Sequence, residues 1–139
     1  MNKIVIHTDG GSRGNPGDAG IGIFMEEKNE KNEILKTIKH KEYIGIATNN
    51  VAEYRAILWA LEFCVENNYQ NIECYLDSEL VVKQLNGEYK VKDKTLGTFF
   101  IKIYNLRQKL KACKFFHVRR EFNKEADLLV NAALDERNL

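Results

Sequence analysis

Residues 3–26, KIVIHTDGGSRGNPGDAGIGIFME, join two strand-like segments through a run of turn-forming residues. In the first segment, 3–9, the side chains at even positions would face one side and those at odd positions the other. This period of two residues is typical of a strand. The glycines, asparagine and proline of 10–19 predict a turn throughout. Residues 20–26 predict a second strand, so the chain begins as an antiparallel hairpin.

The rest of the chain extends this hairpin into an α/β domain. The polar turn EKNEKNE at 27–33 leads to a third strand, after which the apolar period changes from two residues to that of a helix. The predicted elements are strand 34–47, helix 50–67, strand 71–76, a short helix through Leu85 capped by Asp77 or Ser78, helix 95–112, strand 114–118, and a last helix capped by Asn123. The order is βββαβααβα. Strands that follow helices are expected to lie parallel to the first, so the predicted fold is a five-stranded mixed sheet, three antiparallel strands and then two parallel ones, flanked by helices.

Composition predicts a single globular domain over residues 1–139. The chain has a mass of 16.1 kDa, and its 44% hydrophobic and 29% charged residues are typical of a folded domain rather than of disorder or a coiled coil. It has neither an apolar run long enough for a membrane span nor the layout of a signal peptide, so no membrane partner is expected. Three cysteines without CxxC spacing argue against a disulfide framework or a zinc site and favour a cytoplasmic location.

Charge is unevenly distributed, although the formal net charge is only +1. Residues 83–120 contain eleven basic and two acidic residues, a net charge of +9, so the remainder carries −8. One strongly basic stretch is suited to holding a polyanion on one side of the molecule. A solvated helix face with loop lysines explains the same count equally well.

Four acidic residues are placed where the predicted fold brings distant segments together. Asp9 ends the first strand and Asp77 ends the fourth, so parallel pairing would bring out the two carboxylates side by side. Glu53 begins the apolar stripe of the long helix, and Asp127 lies in the first turns of the last helix. Taken singly, each has an ordinary structural explanation as a helix cap, a partner of the helix dipole or a turn residue.

Taken together, the four carboxylates imply a bound cation. At separations of roughly 6 Å their mutual repulsion would reach, as an upper bound, on the order of 15 kcal/mol, comparable with the whole stability of a domain, about 5–15 kcal/mol. Oxygen ligands without cysteine or an obligatory histidine favour Mg²⁺ or Mn²⁺. Two such ions roughly 3.5–4 Å apart are suited to cutting phosphodiesters in line.

Four motifs make the resemblance to a known family specific: TDGGSRGNPG at 8–17, TNNVAEYRA at 48–56, LDSELVVKQLNGEYKVK at 76–92 and NKEAD at 123–127. In this order and spacing the chain resembles the ribonuclease H type 1 family from end to end. The resemblance implies a ribonuclease H-like fold and an endonuclease that hydrolyses the RNA strand of an RNA/DNA hybrid, leaving 3′-hydroxyl and 5′-phosphate ends. It further implies that two Mg²⁺ ions, replaceable by Mn²⁺, are held with substrate by catalytic residues Asp9, Glu53, Asp77 and Asp127.

The loop before the last carboxylate departs from the pattern of many bacterial members, which carry a mobile histidine there. In HVRREFNKEAD, 117–127, His117 is predicted on a strand, whereas Arg120 resembles the arginine of compact archaeal and related bacterial members. The hypothesis is that Arg120 supports the reacting phosphate or product release. Arg119 is the competing choice, and a surface arginine that only steers phosphate is the alternative. His7 and His40 are interpreted as structural.

The resemblance also implies which residues contact the hybrid. The glycine-rich turn after the first strand contacts the RNA strand through Gly10, Gly11, Ser12, Arg13 and Asn15. Its alternative role is that of a tight loop. The segment before Glu53 serves the DNA strand, with Thr48 and Asn50 holding a phosphate and Asn49 reaching the groove edges. A helix-capping role for Asn50 is compatible with this.

The predicted enzyme is minimal. The connection GEYKVKDK at 87–94 leaves no room for the basic protrusion helix of some bacterial members, so Lys90, Lys92 and Lys94 are left as phosphate contacts outside such a module. An N-terminal hybrid-binding domain is not expected either, because the first strand starts at Lys3. We expect a monomer whose binding weakens steeply with salt, with double-stranded RNA as a further candidate substrate.

Two other functions compete with hybrid cleavage. An integrase or junction resolvase of the same superfold fits the strand pattern, but the DGGSRGNPG turn and the TNNVAE segment favour the hybrid nuclease. A non-catalytic module that binds hybrids or double-stranded RNA is the second alternative. Four intact acidic positions count against it, because a pure binder gains nothing from acids that face phosphates.

Overall fold

The computed structural model describes residues 2–137; Met1, Asn138 and Leu139 of the predicted domain lie outside the described residues. The strands are β1 (Lys3–Gly14), β2 (Gly17–Lys28), β3 (Ile34–Ala47), β4 (Asn71–Leu76) and β5 (Ala112–His117). The helices are α1 (Asn49–Glu66), α2 (Glu79–Leu85), α3 (Lys94–Arg107) and α4 (Lys124–Glu136), the last preceded by a 3₁₀ turn at Arg120–Phe122. The predicted order βββαβααβα is confirmed over this range.

Within residues 2–137 the strands form one five-stranded sheet of order β3-β2-β1-β4-β5. β1, β2 and β3 pair antiparallel, whereas β4 lies parallel to β1 and β5 parallel to β4. His7 of β1 is in register with Tyr75 of β4. Two residues further along come Asp9 and Asp77, which lie close together as predicted. Asp77 directly follows β4, but Asp9 does not end β1 as predicted, because β1 continues to Gly14 in its pairing with β2.

The turn predicted over residues 10–19 is wrong for most of that range. β1 continues through Gly14 and β2 starts at Gly17, which leaves a two-residue turn at Asn15-Pro16. Gly14 and Gly17 flank this turn, and Gly14 has a positive φ, whereas Gly10 lies within the sheet, where α1 packs directly on the backbone. A β-carbon built on Gly10 would lie 2.3 Å from the carbonyl carbon and oxygen of Ala52 in α1, an approach that only glycine permits.

Two later boundaries also differ from prediction. The helix predicted over 95–112 ends at Arg107, whose guanidinium donates to the carbonyls of Leu85 and Cys113 and so anchors the chain between α2 and β5. The turn that follows allows β5 to begin at Ala112. The helix was predicted to be too long because the lysines and Leu110 between Arg107 and Ala112 also fit the spacing of a helix. The 3₁₀ turn before α4 was not predicted.

The core lies mainly between the sheet and α1. The stripe predicted on that helix is buried and comprises Ala52, Ala56, Ile57, Ala60, Leu61 and Cys64. On the opposite face α4 packs on β1 and β2, where a β-carbon on Gly22 would lie 2.3 Å from the carbonyl oxygen of Ala126. Near Asp9, both helices therefore pack directly on the backbone of the sheet. Among residues 2–137 we find no helix with the length and apolarity that crossing a bilayer demands.

Candidate active site

Three carboxylates from distant parts of the chain meet where β4 ends beside the middle of β1. Asp9 lies within β1, Asp77 directly follows β4, and Glu53 comes from the second turn of α1, which packs against β1 at Gly10. One carboxylate oxygen from each lies within 4.8 Å of the others. Asp9 and Glu53 are buried, with side chains of neighbouring elements around them, and Asp77 is half-buried. The structure thus brings together three of the four predicted acidic residues closely.

The fourth, Asp127, lies in the same cavity but outside this close group. The cavity has a volume of about 450 Å³, and its lining includes Asp9, Asp77, Asp127, Ser78, Arg120 and Asn131. Asp127 is carried by the first turn of α4, whose N–H group at this residue donates to the carbonyl oxygen of Asn123 at 3.1 Å. Its half-exposed carboxylate lines this open cavity together with Asp9 and Asp77, and, in addition to burial, its hydrogen bond and charge help to raise the pKa of Asp9.

The hydrogen bonds of the cluster leave negative charge only partly compensated. The N–H of Gly10 donates to Asp9 Oδ1 at 3.0 Å and to Glu53 Oε1 at 3.2 Å. Glu53 Oε2 is buried without a hydrogen-bond partner among residues 2–137. Buried oxygens are rarely left unpaired, and a divalent cation would satisfy this one. The donor set, all carboxylate oxygens, fits a hard cation such as Mg²⁺ or Mn²⁺.

The carboxyl groups of the cluster have raised pKa values because they are buried close to one another. Burial, opposed by a hydrogen bond with Glu53 and reinforced by the charges of Asp77 and Asp127, raises the pKa of Asp9 to about 7. Burial and the Asp9 carboxyl raise the pKa of Glu53 well above its ordinary value. Burial also raises the pKa of Asp77, although Asn123 and Arg120 oppose the shift. The cluster therefore holds protons more tightly in the folded state than in the unfolded chain.

This predicts an unusual pH dependence of stability in the absence of divalent cations. Because the folded pKa of Asp9 exceeds its unfolded value, folding takes up protons between about pH 4 and pH 7, so the free energy of unfolding falls as pH rises through that window. The expected loss is on the order of 2–4 kcal/mol from about pH 5 to pH 8. Urea unfolding in EDTA at the two pH values measures it, and added Mg²⁺ should remove most of the difference. Equal stability at both pH values in EDTA would contradict the prediction.

The predicted substrate residues form a connected rim beside the carboxylates. Asn49 Oδ1 accepts from the N–H of Ser12 at 2.9 Å and from its hydroxyl at 3.1 Å, and Asn15 Oδ1 accepts from the N–H of Asn49 at 3.0 Å. These bonds tie the tip of the β1–β2 hairpin to the start of α1. Thr48, not Asn50, caps that helix by accepting from the N–H of Val51. The capping alternative for Asn50 is therefore wrong.

The remaining hairpin residues are placed less uniformly. Gly11 lines the cavity, whereas the N–H of Gly10 is already bonded within the protein. Arg13 also lines the cavity and donates to Asp135 Oδ1 of α4 at 2.7 Å. A second cavity of about 530 Å³ lies next to the rim and is lined by Asn15, Thr48, Asn49, Asn50, Val51, Asp93, Thr95 and Leu96. Lys90, Lys92 and Lys94 are exposed on the segment leading into it.

The structure separates the two candidate arginines. Arg120 lines the cavity and places Nη2 3.9 Å from Asp127 Oδ1, with its side chain 82% exposed. Arg119 points instead to Glu121, 3.4 Å away. Arg120 is therefore the arginine positioned to meet a ligand in the cleft.

His7 and His40 are held by stacking on aromatic rings, and neither lines the acidic cavity. His7 stacks on Tyr75 with ring centroids 5.2 Å apart, and burial lowers its pKa. His40 stacks on Trp59 at 3.8 Å and contacts Glu42. His117 lies on β5, as predicted. These contacts fit the structural interpretation of His7 and His40.

Two residues near the site were not predicted there. Asn123, expected to cap α4, makes no side-chain cap; its amide donates to the Thr8 carbonyl of β1 instead. Asn131 lines the cavity one helical turn after Asp127. The i, i+4 spacing on α4 could have identified Asn131. No local pattern distinguishes a capping asparagine from one that reaches another strand.

Comparisons with known proteins agree with this geometry. The family described as reverse transcriptase-like matches residues 7–133. A protein called ribonuclease H from Clostridium botulinum is 32% identical to this chain. The alignment extends over 157 residues and covers 100% of both proteins. LC11-RNase H1, from a compost metagenome, has a crystal structure in complex with an RNA/DNA hybrid. Its sequence is 42% identical to this chain, and the two structures superpose with a TM-score of 0.87 over 98% of this chain and 99% of that one.

Some relatives are much longer than this chain. The bifunctional protein Rv2228c of Mycobacterium tuberculosis is 38% identical over 133 residues, which are 96% of this chain but 36% of that protein. The chain therefore spans about a third of the length of that curated relative.

Proposed function

Because the chain belongs to the ribonuclease H type 1 family, we propose that it is a divalent-metal-dependent endoribonuclease that hydrolyses the RNA strand of RNA/DNA hybrids. The observation that carries the proposal is the meeting of Asp9, Glu53 and Asp77 within 4.8 Å, with Asp127 in the same open cavity. A protein that only binds nucleic acid would gain nothing from acids turned toward phosphates.

In this proposal the four carboxylates hold two Mg²⁺ ions when substrate is bound, and Mn²⁺ can substitute. Bound ions supply the charge neutralisation and the activated water that in-line displacement at a phosphodiester requires, giving 3′-hydroxyl and 5′-phosphate ends. Asp9 and Glu53 form the buried side of the site, where the Gly10 N–H orients both carboxylates. Asp77 and Asp127 form its accessible side, toward the entering phosphate.

The rim next to the carboxylates is suited to recognising both strands. Glycine at position 11 allows backbone to approach a ribose 2′-hydroxyl, the group that distinguishes RNA from DNA. Ser12 and Asn49 hold each other in place and present polar groups beside the cleft. Asn15, Thr48 and Asn50 line the second cavity, where we place a phosphate of the DNA strand. Exposed Lys90, Lys92 and Lys94 add longer-range attraction for the duplex.

Arg120 is assigned to the reacting phosphate or to product release. Arg120→Ala is expected to lower kcat roughly tenfold to a hundredfold, with KM for the hybrid changed less than about threefold, because the guanidinium lies in the cleft beside Asp127. Steady-state cleavage of a labelled hybrid measures both constants.

Arg119→Ala is the matched control, since Arg119 is equally exposed but faces Glu121. Its kcat should stay within about twofold of wild type. If Arg120→Ala raised KM and left kcat intact, Arg120 would be a phosphate-steering residue without a catalytic role.

The function itself is tested with a panel of labelled substrates: RNA/DNA hybrid, double-stranded RNA, single-stranded RNA and double-stranded DNA, each with Mg²⁺, Mn²⁺ or EDTA. We expect internal cleavage of the RNA strand of the hybrid with either metal and none in EDTA. A 5′-phosphate-dependent exonuclease should degrade the downstream products. Cleavage of double-stranded RNA would add that substrate. Hybrid binding without cleavage under every metal condition would instead make the chain a binding module.

The proposal also includes a monomer in a reducing, cytoplasmic setting. The three cysteines, Cys64, Cys74 and Cys113, are free thiols, and burial raises the pKa of Cys64 to about 12, which keeps it protonated and unreactive. Sedimentation of the active protein tests the monomer.

A further inference from the structure

Asn123 occupies a position that helix capping does not explain. It directly precedes α4, is only 1% exposed, and makes no side-chain cap. Its Nδ2 instead donates to the carbonyl oxygen of Thr8 in β1 at 2.9 Å. Thr8 is the residue before Asp9, so this bond fixes the part of β1 that carries Asp9.

The same residue also bonds α4 and the 3₁₀ turn before it. Its carbonyl oxygen accepts from the N–H of Asp127 at 3.1 Å, and its own N–H donates to the carbonyl oxygen of Arg120 at 2.9 Å. The side-chain bond to Thr8 and these backbone bonds together join β1, the 3₁₀ turn and α4 at one residue.

A packing role does not account for this side chain either. Asn123 Oδ1 is buried without a hydrogen-bond partner among residues 2–137. An unpaired buried acceptor is costly, and an apolar side chain would fill the space without that penalty. The N–H donor to the Thr8 carbonyl is what an apolar residue could not supply.

We propose that Asn123 is a positioning residue that holds the part of β1 carrying Asp9 and the start of α4 carrying Asp127 in the mutual arrangement needed to bind divalent cations. The inference deepens the proposed function and rests on it for its catalytic consequence. Asn123 bonds the segments that carry Asp9 and Asp127 and not the reacting atoms, so it acts through these carboxylates. Removing such supporting partners typically lowers metal affinity or activity by about tenfold to a hundredfold.

Three substitutions separate donation from packing. Asn123→Ala removes the amide donor, and Asn123→Asp keeps the shape but replaces the amide with a carboxylate among carboxylates. Asn123→Ser keeps one shorter donor and is the mildest change to the fold. The matched control is Asn86→Ala, because Asn86 Nδ2 also donates to a strand carbonyl, that of Phe115 at 3.2 Å, at a site away from the acidic cluster.

The first readout is binding of Mn²⁺ to the full chain without nucleic acid, followed by the electron paramagnetic resonance signal of free Mn²⁺. Asn123→Ala and Asn123→Asp are expected to raise Kd for Mn²⁺ about tenfold or more, and Asn123→Ser about threefold to tenfold. Asn86→Ala should lose comparable thermal stability but keep Kd within about twofold. The second readout is kcat on the hybrid, expected to fall about tenfold to a hundredfold with KM nearly unchanged.

The outcomes distinguish this inference from the proposed function. Native Mn²⁺ affinity in folded Asn123→Ser and in either of the other variants would overturn it and leave Asn123 as structural support. Equal losses of Mn²⁺ affinity in Asn86→Ala and Asn123→Ala would overturn it as well. If wild-type protein bound Mn²⁺ in an Asn123-dependent manner but cleaved no hybrid, the positioning role would stand and the proposed nuclease function would fail.

Discussion

Asp9→Asn is expected to lower kcat for hybrid cleavage by roughly 10³-fold while making the metal-free protein more stable. Activity falls because the substitution removes a charged ligand from the centre of the cluster. Stability rises because a buried carboxylate beside Glu53 and Asp77 is replaced by a neutral group of the same shape. The pKa of Asp9, raised to about 7, means that its ionised form opposes folding at neutral pH.

The expected gain at about pH 8 in EDTA is on the order of 2 kcal/mol, or roughly 5 °C in Tm. Thermal unfolding in EDTA, paired with steady-state cleavage in Mg²⁺, measures both effects on one preparation. Asp18→Asn is the matched control, because Asp18 is a half-exposed acid that accepts from the Tyr43 hydroxyl outside the cluster. It should keep full activity and gain no stability.

The diagnostic result is that Asp9→Asn lowers activity while it raises stability in EDTA. A merely structural Asp9 would give a variant that is less stable and only proportionately less active. Near-wild-type cleavage by Asp9→Asn would refute the catalytic assignment. Unchanged or lowered Tm in EDTA would show that the carboxylates are not crowded in the way that the geometry indicates.

Gly10→Ala is expected to lower stability by about 3 kcal/mol or more, equivalent to roughly 10 °C in Tm, and to reduce kcat about a hundredfold. The new β-carbon would lie 2.3 Å from the backbone of Ala52 and 2.5 Å from the nitrogen of Glu53. Backbone cannot rotate away as a flexible side chain can, so α1 must move off β1. Glu53 moves with it and leaves its position beside Asp9.

Gly97→Ala is the matched control for this change. A β-carbon on Gly97 meets nothing within 4 Å, and the residue lies inside α3, so alanine should stabilise the protein by about 0.5–1 kcal/mol through helix propensity. Urea unfolding and hybrid cleavage of both variants test the pair. If Gly10→Ala kept wild-type stability and kcat, the close packing of α1 on β1 would not be what positions Glu53.

Much of the fold could be predicted because its periods are local. The alternation in 34–47 and 71–76 and the helical stripe from Ala52 to Cys64 follow from how backbone geometry spaces side chains two or about four residues apart. Each of these elements appears in the structure with bounds within one residue of the prediction. Residues 10–19 could not be assigned in this way, since glycine is equally typical of a turn and of a strand on which a helix packs directly.

The sequence by itself determined the order of the strands and helices, the four acidic positions and the family to which the chain belongs. The tertiary structure alone decided that Arg120 and not Arg119 lines the cleft, and that the Asn123 side chain donates to the Thr8 carbonyl instead of capping α4. The physical reason is distance along the chain. Hydrogen-bond partners such as Asn123 and Thr8 are separated by 115 residues, and a directional bond between them exists only after both segments have packed.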